Sequence, residues 1–339
     1  MKRTRISKGW AALVLLFAFA GSAPAAVTGD SPETRPAVDV SAAIPDSVFR
    51  AWVLAQFDTD GDSLLSPEET AAVTRMVLPR PVGTDNGSRI VSLEGIALFP
   101  ALAELNCSGL ALSELDVTGC ASLVSLDCSE NDLTALALDS CAALSRLMCY
   151  GNRLSALDLS GCPALQVLLC RRNTLTALDL SRCPALARLD CSGNALTALD
   201  ASRCPAMSEL MCHENRLTRL EVAGCRNLFR LMCYNNALTE LDLFGCEALE
   251  TLACSRNRIA SLDLGDCALL SRLICSSNRL TRLDLTPTNM GDDDERRSLW
   301  CSDNPLEELL LPAGCCIPGV TEERSADCID PSTRIEWAD

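Results

Sequence analysis

The stretch LQVLLCRRNTLTALDLSRCPA, residues 165–185, decides the fold. Leucines fill its positions 1, 4, 11, 14 and 16, and cysteines fill positions 6 and 19. A fixed period of this length is the signature of a solenoid, in which each unit forms one coil that packs on its neighbours. The same pattern recurs every 21 residues over nine units, which begin at Leu102, Leu123, Leu144, Leu165, Leu186, Met207, Leu228, Leu249 and Leu270.

The pattern inside each unit predicts strands and no helix. Leu-Asp-Leu at positions 14 to 16 alternates between apolar and polar residues, as a half-buried strand does. We therefore expect a right-handed, mostly β leucine-rich repeat solenoid, gently curved, with a parallel sheet that lines its concave side. A five-residue insertion that contains the acidic run 292–295 follows the ninth unit. After it comes an incomplete tenth unit, which contains Leu299, Cys301, Asn304, Leu306 and Leu309.

Position 9 holds an asparagine among the inward-facing leucines. Equivalent residues of stacked coils lie about 4.8 Å apart, so this position forms a column through the molecule. An amide side chain both donates and accepts hydrogen bonds, and it can satisfy backbone groups at the bend between adjacent coils. We interpret the column as structural. Its members are Asn131, Asn152, Asn173, Asn194, Asn215, Asn236, Asn257, Asn278 and Asn304.

Position 6 holds cysteine in all ten units, and position 19 holds it in eight. A thiol is a small apolar group, which favours two buried columns that let the coils pack closely. Disulfides are the alternative, because an exported protein meets an oxidising environment. We expect no zinc site, because Cys-x-x-Cys spacing is absent. The columns are Cys107, Cys128, Cys149, Cys170, Cys191, Cys212, Cys233, Cys254, Cys275 and Cys301, and Cys120, Cys141, Cys162, Cys183, Cys204, Cys225, Cys246 and Cys267.

Position 15 is acidic in eight of the first nine units, with Ala137 as the gap. Like charges this close repel one another, so we expect the carboxylates to be solvated or to accept hydrogen bonds. The expected donors are the Ser and Thr residues of position 12 or backbone amides, and calcium binding along the column is a weaker alternative. The column contains Asp116, Asp158, Asp179, Asp200, Glu221, Asp242, Asp263 and Asp284.

The N-terminus predicts export. Basic residues precede an apolar stretch from Trp10 to Ala20 and a run of small residues, the pattern of a secretory signal peptide. The apolar stretch is too short for a spanning helix, so we expect no membrane insertion and a secreted, periplasmic or extracellular location. The predicted organisation is a signal peptide (1–26), a flexible leader (27–42), a helical EF-hand-like cap (43–80), the solenoid (81–311) and a C-terminal cap or tail (312–339).

A calcium-binding EF-hand loop is the candidate metal site. Its eighth position is the apolar Leu65, and its sixth is Ser63, where a left-handed turn costs a non-glycine residue about 1 kcal/mol or more. We expect helices on both sides, the second capped by Ser66 with Pro67 at its first position. Weak calcium binding and a vestigial cap both stay open, and no other cofactor is expected. The ligand positions are Asp58, Asp60, Asp62, the Leu64 carbonyl, Ser66 and Glu69.

Two classes of function find little support. The formal charge of −16 argues against nucleic acid as a partner, because phosphates are bound by clustered cations. Catalysis is also not expected, since His213 is the only histidine and therefore the only candidate base for a nucleophilic triad. The column cysteines point inward, away from the exposed, electropositive setting that a reactive thiolate needs.

The concave face is the predicted ligand-binding site. Positions 3, 5 and 7 point outward there, and they collect arginines, methionines and both tyrosines of the chain, residue types enriched at interfaces. The alternative is that exposed apolar residues are ordinary and simply cover the strands. The candidate ligand-binding residues are Arg146, Met148, Tyr150, Arg171, Arg188, Met211, His213, Arg230, Met232 and Tyr234, and the same columns hold Leu169, Arg272, Ile274 and Trp300.

The repeat Leu-Asp-Cys-Ser-x-Asn-x-Leu-Thr-x-Leu-Asp-Leu resembles the cysteine-containing leucine-rich repeats of internalin-J-like bacterial surface proteins. The resemblance covers residues 90–311, and the second cysteine column departs from it. It implies a secreted or surface scaffold that serves adhesion or recognition without catalytic activity. The segment from Ile44 to Glu69 is similar to the helical cap that precedes the repeats in similar bacterial proteins.

We therefore expect an exported, non-enzymatic recognition or adhesion module that binds a protein or glycan ligand on the concave face. A structural envelope protein is one alternative, and for it the concave residues would be replaceable. A calcium- or redox-responsive module is the other. Its melting temperature would shift with calcium or reductant.

Overall fold

The computed structural model describes residues 38–80, 89–290, 298–312 and 333–337. The predicted signal peptide, residues 27–37 of the leader, the acidic run 292–295 and most of the tail lie outside this part of the chain. Within the described ranges, no helix is long and apolar enough to cross a membrane.

Two short helices form the cap before the repeats. Helix α1 (Ser47–Phe57) begins after Asp46, whose carboxylate accepts the N–H groups of Val48 and Phe49. Helix α2 (Pro67–Ala72) begins after Ser66, which forms a capping box with Glu69. The predicted helix-loop-helix is therefore present. The described end of the leader packs onto it, because Val40 donates its N–H to the Leu65 carbonyl at 2.9 Å.

The strands of the described chain are short, and most of them are three residues long. They are β1 (Arg75–Val77), β2 (Glu104–Asn106), β3 (Glu114–Asp116), β4 (Ser125–Asp127), β5 (Ala135–Ala137), β6 (Arg146–Met148), β7 (Val167–Leu169), β8 (Arg188–Asp190), β9 (Ala198–Asp200), β10 (Glu209–Met211), β11 (Arg219–Glu221), β12 (Arg230–Met232), β13 (Thr251–Ala253), β14 (Arg272–Ile274), β15 (Arg282–Asp284), β16 (Ser298–Trp300), β17 (Glu308–Leu311) and β18 (Arg334–Trp337).

Eleven of these strands form one parallel sheet, which we call the main sheet. Its order is β1-β2-β4-β6-β7-β8-β10-β12-β13-β14-β16, and each strand pairs in register with the equivalent residues of the next coil. Strand β1 lies inside the segment predicted as helical cap, and it extends this sheet by one strand. The strands at positions 13 to 15 form smaller parallel sheets on the opposite face, β3-β5, β9-β11 and β15-β17, and β18 of the tail pairs with β17. Parallel sheets on both faces and few helices confirm the predicted leucine-rich repeat solenoid.

The interior follows the repeat columns. Leucines of positions 1, 4 and 11 are almost completely buried, and Leu165, Leu168 and Leu175 are each 0% exposed. Both cysteine columns are buried as well, and the structure carries their eighteen members as thiols. The prediction of two buried cysteine columns is therefore confirmed, and their thiol state stays a prediction.

The asparagine column bonds neighbouring coils to each other. In Asn173, Nδ2 donates to the carbonyls of Cys149 and Cys170 at 3.0 Å, and Oδ1 accepts the N–H of Leu154 at 3.0 Å. The same three bonds recur from Asn131 to Asn304. Each amide thus satisfies backbone groups that have no partner in a strand, as the sequence predicts.

The residue before each column asparagine takes a left-handed conformation. All ten residues at position 8 have φ between 53° and 72°, and seven of them, such as Arg172 and Arg256, are not glycine. A left-handed residue with a side chain costs about 1 kcal/mol. The bend therefore stores strain in the seven coils that have no glycine there, and the asparagine bonds beside it offset that strain.

Candidate functional site

The outer face of the main sheet is built from columns 3, 5 and 7, the side chains at these positions of successive repeats. The central leucine of each strand, such as Leu147 or Leu189, points into the core and is 0% exposed. Its two neighbours therefore point outward, because successive side chains of a strand alternate between its faces. Register pairing then sets equivalent side chains side by side from coil to coil.

A chain of contacts begins at Tyr150 in column 7. The guanidinium carbon of Arg171 lies 4.2 Å from the centre of the Tyr150 ring, a cation–π contact. Nη1 of the same arginine lies 3.3 Å from Oδ2 of Asp190 in column 5. The structure therefore brings two predicted site residues together and ties both to a carboxylate that the prediction did not include.

Asp190 is buried, with a side chain that is 8% exposed. Its Oδ1 accepts the Ser192 hydroxyl at 2.6 Å and the Ser192 N–H at 3.2 Å. The carboxylate is therefore fixed in place and offers negative charge at the centre of the face. The sequence pattern that could have identified Asp190 is an acid at position 5 with a serine at position 7. The same pair occurs in Asp127 and Ser129.

The second half of column 7 is an aromatic pair. The rings of His213 and Tyr234 stack with centres 4.3 Å apart and planes 15° apart. Nδ1 of His213 is buried and has no hydrogen-bond partner among the described residues. Burial lowers the pKa of His213 below its usual 6.5, although the charges of Asp190 and Glu214 oppose this effect. Burial also raises the pKa of Tyr234. Both rings are therefore uncharged at neutral pH.

The lowered pKa of His213 predicts a pH dependence. A group whose pKa is depressed by folding stabilises the folded state above its unfolded pKa, and that stability is lost as the pH falls through the folded pKa. We expect the imidazole signal in an NMR titration to have its midpoint below pH 6.5. Asp190→Asn should lower the midpoint further, because it removes a charge that favours the imidazolium. A midpoint above 6.5 would contradict this environment.

Column 3 contains one ion pair among its predicted arginines. Nε of Arg188 lies 2.8 Å from a carboxylate oxygen of Glu209, which the prediction did not include. The guanidinium of Arg230 lies 5.6 Å from the ring centre of Phe229. Arg146 is exposed and forms no ion pair within the described residues. Column 3 therefore keeps cationic groups available to a ligand.

Column 5 supplies the apolar part of the face. Met148, Met211 and Met232 are each half-buried on their strands, so part of every side chain reaches the surface. Trp300, at the last strand of the sheet, is 56% exposed. Flexible, polarisable methionine side chains adapt to irregular partners. All ten predicted residues thus share one face with a central polar cluster.

The candidate calcium loop brings three carboxylates together. Ligand oxygens of Asp58, Asp60 and Glu69 all lie within 4.8 Å of one another. Ser63 takes the left-handed turn with φ of 67°, and the Leu65 side chain is buried. N–H groups of Ser66 and Thr59 hold the pKa of Glu69 at about 2. The predicted ligand Asp62 is not in this group of carboxylates, and its side chain accepts the Leu64 N–H. The Ser66 hydroxyl donates to Glu69.

The acidic column at position 15 has a structural role. In seven of its eight members, such as Asp158 and Asp179, Oδ1 accepts the N–H of the residue two positions later. These bonds lower the pKa of both carboxylates. Backbone amides are therefore the main donors, as one of the two predictions states. The position-12 hydroxyls instead bond to carbonyls of the previous coil, as Thr134 does to Ser113.

Comparison with solved structures finds the same architecture in bacterial proteins. The functional domain of InlJ from Listeria monocytogenes, which includes a cysteine ladder, is 26% identical, with a TM-score of 0.56 over 88% of this chain and 70% of that one. An internalin (inlF) from Listeria monocytogenes is 18% identical, with a TM-score of 0.59 over 91% of this chain and 100% of that one. YopM, a leucine-rich effector protein from Yersinia pestis, is 23% identical, with a TM-score of 0.54 over 73% and 71%.

Comparison by sequence adds no assignment: no family model and no curated protein matches the chain. The likeness to InlJ extends beyond the coil, because InlJ also contains a cysteine ladder and this chain has one at position 6. The proteins named in these comparisons are internalins and an effector. The chain is therefore a leucine-rich repeat solenoid with a cysteine ladder, similar to the functional domain of InlJ.

Proposed function

We propose that this protein is an exported, non-enzymatic recognition module that binds a protein or glycan on the outer face of the main sheet. The observation that carries the proposal is a pair of neighbouring groups on this face: Arg171, which contacts Tyr150 and Asp190, and the stacked rings of His213 and Tyr234. Together these groups supply aromatic surface, a cation and a buried anion within five neighbouring coils.

The arrangement suits binding better than catalysis. The single histidine is half-buried and stacked, so it lacks the exposed hydrogen-bonded pair of nucleophile and base that acyl transfer requires. Rigid aromatic and arginine side chains, held by neighbours in a sheet, are typical anchors of binding surfaces. The internalin-like fold supports an interaction role.

The experiment is a binding screen with two variants. The mature protein is incubated with a glycan array and with detergent-solubilised surface proteins, beside Tyr150→Ala/Tyr234→Ala and beside Phe244→Ala. Phe244 is 73% exposed and lies two residues after Asp242, which bridges to Glu221 on the opposite face, so it controls for the loss of an exposed ring. We expect a ligand that the parent and Phe244→Ala capture and the tyrosine variant loses. Since anchor residues contribute about 2 kcal/mol or more each, the loss should exceed tenfold in Kd.

Either of two results would refute the assignment. The first is equal capture by the parent and a folded tyrosine variant. The second is loss of capture in Phe244→Ala alone, which would move the binding site to the opposite face. Thermal melting of all three proteins shows whether the variants are folded.

We further propose that the cap loop binds calcium. Three converging carboxylates, a left-handed turn and a buried eighth residue fit a hard, oxygen-seeking cation. Asp58, Asp60 and Glu69 would hold the ion, which would join the end of α1 to the start of α2. Calcium would then stabilise the cap that covers the first coil.

Calcium is expected to raise the melting temperature of the parent protein. When calcium is tenfold above its Kd, linkage adds about 1.4 kcal/mol to the stability of the unit that binds it. Asp60→Asn should abolish this shift, whereas Glu68→Gln, an exposed acid on α2 outside the carboxylate group, should keep it. The same melting temperature in calcium and in chelator, or an unchanged shift in Asp60→Asn, would identify the loop as a vestigial cap.

A further inference from the structure

Four arginines of column 3 recur on every second coil of the main sheet. Arg146, Arg188, Arg230 and Arg272 are each separated by two repeat units, and Val167, Glu209 and Thr251 occupy the intervening coils in strict register. Neighbouring strands lie about 4.8 Å apart, so the guanidinium-bearing residues repeat about every 9.6 Å. The row they form spans about 29 Å along the sheet.

This arginine row is a local excess of positive charge on an acidic protein. The chain carries a formal charge of −16, yet Glu209 is the only acid of column 3 between β4 and β16. It bonds to Nε of Arg188 at 2.8 Å. Arg146 and Arg272 are exposed and form no ion pair with any residue of the described ranges. The row therefore has at least two cations that a ligand can neutralise.

The interval between the arginines restricts the ligand class. Alternate residues of an extended peptide are about 6.6–6.8 Å apart, which does not match the row. A nucleic acid strand carries a charge about every 3.4 Å and would be repelled by the rest of the protein. In an extended polysaccharide, one sugar is about as long as the distance between two strands. A carboxylate on every second sugar would therefore meet an arginine on every second coil.

The neighbouring columns suit sugar rings. Column 5 presents the half-buried Met148, Met211 and Met232, and column 7 presents the Tyr150 ring and the stacked rings of His213 and Tyr234. Aromatic faces pack against the C–H faces of sugars, and tyrosine and histidine also offer hydrogen bonds to hydroxyl groups. A polysaccharide lying along the arginine row would contact these columns over its whole length.

We propose that the arginine row binds a linear acidic polysaccharide whose carboxylate recurs on every second sugar, with the chain lying across the strands of the main sheet. This assignment rests on the recognition function proposed above and names its ligand class. A polyproline II peptide also repeats each face about every 9.3 Å, but it matches the row only if acids happen to recur at every third residue. The covalent repeat of the polysaccharide fixes its charge interval, so we favour it over the peptide.

The test measures binding of three probes to three proteins. The probes are a hyaluronan oligosaccharide long enough to span the row, a neutral chitin oligosaccharide of the same length, and a (Pro-Pro-Glu) repeat peptide. The proteins are the parent, Arg146→Gln/Arg272→Gln and Arg216→Gln/Arg258→Gln. The second pair matches the first in charge and exposure, and it lies at position 10, outside the outer face of the main sheet.

We expect the parent to bind hyaluronan and not chitin, with affinity that falls as salt rises. Arg146→Gln/Arg272→Gln should weaken hyaluronan binding by about tenfold or more, because two charge-assisted contacts are lost. The position-10 pair should bind like the parent. Arg146 and Arg272 make no ion pair among the described residues, so their loss should leave the melting temperature unchanged.

Three results would overturn the proposal: no hyaluronan binding by the parent, equal binding by the row variant and the position-10 variant, or row-dependent binding of the peptide alone. The tyrosine variant distinguishes failure of the polysaccharide assignment from failure of the recognition function. If another ligand is captured and lost in Tyr150→Ala/Tyr234→Ala, recognition stands and only the polysaccharide assignment fails. If no ligand depends on those tyrosines, the recognition function itself fails.

Discussion

Replacing Asn173 by alanine is expected to lower the free energy of unfolding by about 3–5 kcal/mol, since three buried backbone groups lose their partners at about 1–3 kcal/mol each. These groups are the Leu154 N–H and the carbonyls of Cys149 and Cys170. They lie at the bend between two coils, where water has no access. Urea unfolding followed by circular dichroism measures the loss.

Asn227→Ala is the matched control. Asn227 is exposed, and its Nδ2 makes one hydrogen bond, to the carbonyl of Pro205 at 2.9 Å. Substitution there should cost less than about 1 kcal/mol. A loss for Asn173→Ala no larger than that of the control would mean that the asparagine column does not hold the coils together.

The second large effect concerns the thiols. Burial raises the pKa of Cys149 from 9.0 to about 12, which makes the reactive thiolate about a thousandfold scarcer. In column 19, burial raises the pKa of Cys162 to about 12 and that of Cys120 to about 11. We therefore expect the column cysteines of the native protein to resist a maleimide almost completely. In denaturant without reductant, all eighteen should react.

Peptide mapping by mass spectrometry measures the extent of maleimide labelling at each cysteine separately. Ala260→Cys, at an exposed position, is the positive control and should be labelled in the native protein. Column cysteines that stay unlabelled in denaturant until a reductant is added would be disulfides, and the redox-responsive alternative would then replace the thiol columns. Labelling of the native columns as fast as Cys at position 260 would contradict their burial.

The fold could be predicted because the residues at any one repeat position have the same surroundings in every coil. An asparagine that recurs among leucines, as from Asn131 to Asn304, has one explanation in any coil, and the structure confirms it in all of them. The cysteine columns follow the same logic. The ends of the solenoid are different, since single strands such as Arg75–Val77 and Arg334–Trp337 extend the sheets outside the period and carry no repeat signature.

The candidate site was predictable as a face but not as a set of contacts. Column membership places Tyr150, Arg171, His213 and Tyr234 side by side, because register fixes which positions are neighbours. Asp190 breaks the pattern of its column, and its burial depends on the Ser192 and Arg171 side chains around it. The pairing with Ser192 has a precedent in Asp127 and Ser129, but the contact with Arg171 is set by side-chain conformation, which the repeat does not encode.

His213 gives the most direct test of recognition on the outer face of the main sheet. It is the only histidine of the chain, so its imidazole is a unique NMR signal at the centre of the predicted binding surface. A ligand found in the binding screen is titrated into the parent protein at constant pH. We predict that the His213 signal shifts saturably, with the same Kd that calorimetry gives. Calorimetric binding that leaves this signal unmoved would place the ligand elsewhere and contradict the proposed function.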